Sequence, residues 1–371
     1  MKLFYVSSQF VQERQPAGMI QMFYTSREFR KILGDDFKLV VRGVEDKFLM
    51  DQWRLGYEVS RCPFRARIIF YIFWMPVFWA RQKSGKEKKV LYCLDWHVAI
   101  AGILYKKFFG YKIAVEYHDP PFGSWKDWII TRFCDYLLPT TQAMGNYLVA
   151  TNKLAQGKIF VASNGIDIDK FNISNKESSR EVLGLPIYSR IVLYSGNLVA
   201  RKGIYTLLES AGMIEGGAIV MFVGRSDYSV LKDLKDRAKG NPNIQFKGDR
   251  PHEEIPLWLK AADVVVAPNS QSAETSQGIA AIKWTSPMKV FEYMSSRRPM
   301  VVSDIPAMRE LLDDSMAVFV EPDNPKALAE GIDKLLSDKE KVEEITKNAY
   351  DKVKNLTWEK RAEAILDFIK Q

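Results

Sequence analysis

Three short stretches of this 371-residue chain combine residue types and spacings that could do chemistry. Residues 196–203 read GNLVARKG and follow the continuous apolar run Ile191-Val192-Leu193. Glycine lets backbone approach a ligand. Arg201 and Lys202 open the helical pattern 201–212, where free amides and the helix dipole already favour an anion. Two cations there suit a diphosphate; the plainer reading is a loop with solvated charges. Residues 285–293 read TSPMKVFEY. A hydroxyl residue followed by Pro287 makes a helix N-cap and first-turn pair. Glu292, one turn beyond Met288, offers two acceptor oxygens that could take both hydroxyls of a ribose, unless it is simply a surface glutamate. Glu116-Tyr117-His118-Asp119-Pro120 follows the apolar strand pattern Lys112–Val115. Ligands of open α/β sheets bind beyond the carboxyl ends of strands, which singles out His118 over His97 and His252.

Such residues need a frame. Strand patterns occur at 2–7, 37–42, 89–94, 112–116, 136–138 and 159–162, then at 190–195, 218–223, 243–246, 263–267, 299–302 and 316–320. Helical patterns lie between them, at 19–33, 96–108, 140–150, 201–212, 227–239, 288–296 and 325–336. Strand–helix–strand alternation at this spacing predicts parallel sheets covered on both faces. The series breaks near 163–189, where Ser163-Asn164-Gly165 is turn chemistry and a polar stretch follows.

Taken together, the segments NGIDIDKF (164–171), LYSGNLVARKGIYTLLES (193–210), FVGR (222–225), IQFKGDRPHEEIPLWLKAADVVVAP (244–268) and SPMKVFEYMSSRRPMVVSDIPAMREL (286–311) resemble the retaining glycosyltransferases of family 4, in that family's order. Pro16-Ala17-Gly18 and the EYHDP segment resemble the family's first glycine-rich and histidine loops. The resemblance implies an α/β fold of the GT-B type: two doubly wound Rossmann-like domains whose parallel sheets face each other across a cleft. It places a first, acceptor-side domain at 1–163, completed by a returning helix within 357–371, and a nucleotide-sugar donor domain at 164–356. It implies that Arg201 and Lys202 hold the donor diphosphate, with Gly196 beside them, and that the loop Ser286, Pro287, Met288 and Lys289 faces the phosphates. Glu292 would bind the ribose, Gly224 and Arg250 would border the base, Gly18 would approach the donor, and His118 would touch the donor sugar. No metal or cofactor is expected, because Arg, Lys and helix dipoles can stabilise the leaving nucleotide. One departure stands out: the family often carries a second Glu eight positions before Glu292, and Trp284 is there instead. Either Glu274 is the displaced carboxylate, or this branch does without one.

Composition narrows the partners. Apolar residues make up 47% and charged residues 26%, which excludes a disordered or collagen-like chain. The formal charge of +8 is not spread evenly: residues 1–165 hold 24 Lys/Arg against 14 Asp/Glu, the remainder 29 against 31. Residues 61–89 alone hold eight cations against Glu87, around the run IIFYIFWMPVFWA at 68–80. Thirteen apolar residues are too few for a helix that must cross a core needing about 20. Cations flanking aromatic residues fit an interfacial helix on anionic lipid, with Arg65, Arg67, Phe70, Phe73, Trp74, Phe78, Trp79 and Arg81 as contacts. A core helix is the plainer reading, and nucleic acid fits poorly because no stacking motif interleaves with the charges. Three cysteines, odd in number and not in metal spacing, suit a reducing cytosol. These features lead to the expectation of a cytoplasmic enzyme held peripherally at the membrane, moving a sugar from a nucleotide-sugar to a lipid-linked or membrane-proximal glycan. A nucleotide-sugar epimerase or hydrolase of the same fold, or a non-catalytic donor-binding relative, are the alternatives.

Overall fold

The computed structural model describes residues 1–11, 17–44, 59–61, 75–81, 87–118, 125–152, 156–173, 175–271, 282–284 and 286–371. The chain forms two compact units, residues 1–165 with 358–371 and residues 166–357.

Unit 1 contains strands β1 (Lys2–Val11), β2 (Phe37–Val44), β3 (Val59–Arg61), β4 (Lys89–Cys93), β5 (Lys112–Tyr117) and β6 (Tyr136–Pro139). They form one sheet in the order β3-β2-β1-β4-β5-β6, and all neighbours are parallel. Its helices are α1 (Ala17–Leu33), α2 (Met75–Arg81), α3 (Trp96–Phe109), α4 (Trp125–Phe133) and α5 (Gln142–Asn152). The pattern at 159–162 forms no strand; Ile159 makes a single bridge to Leu137. The sixth strand is the three-residue β3, at the opposite edge of the sheet.

Unit 2 continues with α6 (Lys176–Leu183), β7 (Ile191–Ser195), α7 (Ile204–Ser210), β8 (Ile219–Val223), α8 (Tyr228–Arg237), β9 (Ile244–Gly248), α9 (Ile255–Ala261) and β10 (Val264–Ala267). It ends with α10 (Met288–Ser296), β11 (Met300–Ser303), α11 (Pro306–Arg309), β12 (Val318–Val320), α12 (Pro325–Ser337) and α13 (Lys339–Val353). Its sheet, in the order β12-β11-β10-β7-β8-β9, repeats the topology of the first. β7 and β10 are fully buried, and a separate apolar cluster covers each face of the sheet, as continuous Val/Ile runs require.

The final helix, α14 (Trp358–Lys370), belongs to unit 1. Ala362, Ile365, Leu366 and Ile369 recur at helical spacing, are buried, and join the core formed by β1, α1 and β2. Trp358 stacks on Tyr24 of α1 with ring centroids 5.4 Å apart.

Two of the aromatic residues expected at a membrane are buried within unit 1. Trp79 is 1% exposed, stacked on Tyr111 at 4.2 Å and edge-on to Phe4, and Phe78 is buried against the same Phe4. α2 is a short cover on the sheet, so its apolar face is used up by unit 1 itself. Arg65, Arg67, Phe70, Phe73 and Trp74 lie outside the described residues, as does the side chain of Arg81, which closes α2.

Candidate functional site

In each sheet the strand order reverses beside the first strand, between β1 and β4 and between β7 and β10. Such switch points open a crevice at the carboxyl ends of the strands. The residues of unit 2 singled out from sequence, Arg201, Lys202, Lys289 and Glu292, lie near its switch point.

β7 ends at Ser195 and passes into Gly196, whose N–H donates to Val223 O. Gly224 follows β8 with φ +142°, and a Cβ there would lie 2.1 Å from Gly196 O. The two glycines therefore allow the β7 and β8 exits to cross at backbone contact, which is what Gly224 visibly does here. Arg201 and Lys202 do not open the helix directly. They occupy one 3-10 turn, Ala200–Lys202, that Gly203 ends at φ +69° before α7 begins. A Cβ on Gly203 would lie 1.5 Å from Pro268 O, and Ser270 N donates to Arg201 O at 3.2 Å. The turn is thus clamped against the loop that leaves β10. Asn269 in that loop has a buried Oδ1 with no hydrogen-bond partner.

α10 supplies the other wall. The helix spans the predicted 288–296, but Pro287 is its N-cap and Met288 its first residue, so the cap falls one position later than the hydroxyl–Pro287 pair implied. Tyr293 anchors the helix at the switch point. Its hydroxyl accepts from Ser195 N at 3.1 Å and lies 3.2 Å from Val266 O, tying α10 to the ends of both β7 and β10. That anchor brings Lys289 to Gly196 and Tyr194. The ammonium lies 4.0 Å from the Tyr194 ring centroid, and Nζ is buried with no hydrogen-bond partner. Burial first, then the charge of Lys202, holds its pKa well below the ordinary lysine range, against the pull of Glu292. Burial and Arg201 bring Lys202 down to about 8. Burial pushes the Glu292 carboxyl up to about 7, although Lys289 and Lys170 pull it down. His252 Nε2 lies 3.9 Å from Glu292 Oε1. Lys202, Lys289 and Glu292 are thus desolvated together beside the exposed Arg201, whose charge lowers both lysines while Lys202 also lowers Lys289, an arrangement that an incoming dianion would relieve.

Other predicted residues take different places. Arg250 is exposed; its Nε donates to Lys247 O and its guanidinium lies 5.3 Å from the Trp258 ring. Ser286 is half-buried beside Pro287. Trp284 has the Lys283 ammonium 4.8 Å from its ring, and Glu274 lies outside the described residues. In unit 1, Gly18 falls in the first turn of α1 rather than in a loop.

His118 follows β5 directly, and its Nε2 lies 3.1 Å from Glu116 Oε1. Glu116 is the centre of a closed network. It accepts from Gln21, from Tyr92 and from Arg361 of α14, while Arg361 also donates to Thr25 Oγ1 at 2.8 Å and to Ser163 O at 2.9 Å. Burial alone would raise the Glu116 pKa, but Arg361, followed by His118 and Tyr92, outweighs it and holds the carboxyl below its usual value. Glu116, Arg361, Tyr194, Tyr293 and Gly203 were not singled out from sequence. Gly203, Glu116, Tyr194 and Tyr293 lie inside quoted motifs without having been given a role there, and Arg361 left no signal.

Residues 175–352 match the family described as glycosyl transferases group 1. Similar proteins include a D-inositol 3-phosphate glycosyltransferase of Corynebacterium urealyticum, 25% identical over 227 residues that make up 57% of this chain and 51% of that protein. An alpha-D-kanosaminyltransferase of Streptomyces kanamyceticus is 29% identical over 164 residues, 43% of this chain and 39% of that protein. The chain spans about half the length, or less, of the curated relatives it matches. The crystal structure of Anabaena HepE in complex with UDP matches all of both chains at a TM-score of 0.79 and 16% identity. That likeness shows the GT-B fold: two Rossmann-like α/β units with parallel sheets.

Proposed function

We propose that the chain, whose second unit is a group 1 glycosyl transferase domain, moves a sugar from a nucleoside diphosphate-sugar to a lipid-linked or membrane-proximal glycan, with retention at the anomeric carbon. The observation that carries this reading is the buried Lys289 ammonium, which has no hydrogen-bond partner, beside Lys202 and Arg201. A buried cation without a partner is costly, and a diphosphate supplies the charge and acceptors it lacks. Glu292, three residues further along α10, is the acceptor for a ribose diol. The free amides at the α10 N-terminus add to the phosphate side.

In this reading the anomeric carbon–phosphate oxygen bond breaks as the acceptor hydroxyl bonds to the same face of that carbon. The hydroxyl proton passes to the departing phosphate oxygen. Arg201, Lys202 and Lys289 stabilise the charge that grows on the leaving diphosphate. His118 is assigned contact with the transferred sugar.

UDP is the first ligand to try, because HepE was crystallised with it. Calorimetry with UDP, GDP and ADP is expected to show binding of one of them. Lys202→Ala should weaken that binding by about 2 kcal/mol, roughly 30-fold. Absence of binding by all three, or an unchanged affinity in the variant, would end the diphosphate assignment. His118→Ala should lower turnover and leave nucleotide binding unchanged. Turnover of the donor without any acceptor would favour the epimerase or hydrolase reading.

A further inference from the structure

Unit 1 presents large apolar side chains to solvent on two adjoining helices. Phe108 (72% exposed) and Leu104 lie one turn apart on α3, while Trp125 (62%) and Trp128 (60%) lie one turn apart on α4, where Phe133 packs edge-on to Trp128 at 6.2 Å. α3 packs against α4, and Lys106 joins their ends: its Nζ donates to Phe133 O at 3.1 Å and pairs with Asp135 at 2.7 Å. Single exposed apolar residues are ordinary on a protein surface, but five on adjoining helices are not. Cations surround them. Lys107 and Arg132 are exposed beside the rings, and Lys126 lies 3.9 Å from the Trp96 ring. Among the described residues from 125 to 135 the acids are Asp127 and Asp135, and Asp135 is already paired with Lys106 and Lys112. Unit 1 as a whole holds 27 Lys/Arg against 17 Asp/Glu.

We infer that the α3/α4 face is where this protein rests on an anionic lipid surface. Tryptophan and phenylalanine rings prefer the headgroup–acyl boundary, and lysine and arginine beside them meet anionic headgroups. Phe78 and Trp79 of the segment 61–89 are committed to the interior of unit 1, and the contact inferred here is a different face that sequence reading passed over. The purpose of the contact rests on the membrane-proximal acceptor proposed above; its evidence is the face itself.

The test is flotation of the full chain with vesicles of equimolar phosphatidylglycerol and phosphatidylcholine, against phosphatidylcholine alone. Binding to the anionic vesicles is expected, with quenching of tryptophan fluorescence by brominated lipid. Trp125→Ser with Trp128→Ser, and separately Leu104→Ser with Phe108→Ser, should each lower the partition coefficient about tenfold or more. Melting temperatures should not move, because these side chains are exposed. Lys107→Ser with Arg132→Ser, or added salt, should weaken binding to the anionic vesicles. The inference is overturned if the wild-type chain ignores anionic vesicles or if the α4 double variant binds as well as wild type. It is also overturned if sedimentation shows copies of the chain joined through this face and separated by those substitutions. UDP titration of the same variants keeps the two readings apart. Vesicle binding without nucleotide binding defeats the transferase reading and leaves this one standing, whereas nucleotide binding without vesicle binding does the reverse.

Discussion

Each unit buries a carboxylate near the carboxyl ends of a six-stranded sheet, and the two behave oppositely. Glu116 in unit 1 is held below its ordinary pKa and Glu292 in unit 2 is raised to about 7. Burial pushes both upward; the difference lies in their partners. Arg361, Tyr92, Gln21 and His118 converge on Glu116, so its charge is answered inside the fold. Beside Glu292, burial and neighbouring cations lower Lys202 and Lys289, and the Lys289 ammonium has no hydrogen bond at all. A buried charge with a full set of partners is scaffold. A cluster of mostly one sign, left incomplete, is built for something that arrives.

The comparison can be broken first at Arg361. Arg361→Ala strands the Glu116 carboxylate in the core and should cost about 3–5 kcal/mol in urea unfolding, whereas Arg361→Met with Glu116→Gln should cost clearly less. Equal melting of Arg361→Ala and wild type would remove Glu116 from the scaffold class. Next is Gly203→Ala. The left-handed backbone and the collision with Pro268 together predict a loss of about 2–4 kcal/mol, read by the same titration. Lys289→Met is the sharpest contrast with Arg361→Ala, because its effects run the other way. The free protein should be as stable as wild type or slightly more so, while nucleoside diphosphate binding weakens by about 2 kcal/mol. A destabilised Lys289→Met chain would mean that the ammonium has a structural task.

The smallest effect is the pH dependence. Diphosphate binding needs Lys202 charged and ribose binding needs Glu292 ionised, so affinity should peak between the two values, about 7 and about 8. Glu292→Gln should flatten the acid limb and Lys202→Ala the alkaline one. The stability signs also oppose. Glu292, raised in the fold from 4.5, contributes stability at low pH that fades as pH rises through about 7. Glu116, lowered in the fold, contributes above its ordinary value and loses that contribution as pH falls. Unfolding curves of the two Glu→Gln variants across this range check the signs.

Much of this frame was legible in the sequence because buried parallel strands are written as continuous apolar runs. Val264-Val265-Val266 and Ile191-Val192-Leu193 are as buried as their composition requires. The three residues of β3 were too few to show a pattern. Arg201, Lys202, Lys289 and Glu292 could be named from motifs, yet the property that distinguishes them, an ammonium without a partner, appears only once α10 is anchored through Tyr293. Glu116 was invisible as a hub because its partners Gln21 and Arg361 lie 95 and 245 residues away. The run around Phe78 and Trp79 misled for a related reason. Apolar residues between cations look alike whether they cover a sheet or a bilayer, and only the contacts with Phe4 and Tyr111 decide.

The return of α14 to unit 1 carries a consequence for how the chain is made. On a ribosome, domains ordinarily fold in the order in which they emerge. Here the core built around β1 and α1 waits for Ala362, Ile365, Leu366 and Ile369, and Glu116 waits for Arg361. At ordinary synthesis rates of about 5–20 residues per second, the whole of residues 166–357 intervenes, a delay of roughly 10–40 s. Unit 2 can complete itself during that interval, while the nascent unit 1 holds open an apolar groove and an unanswered carboxylate. Of the two units, the one more exposed to chaperones or to misassembly is therefore unit 1, most of which is synthesised ahead of unit 2.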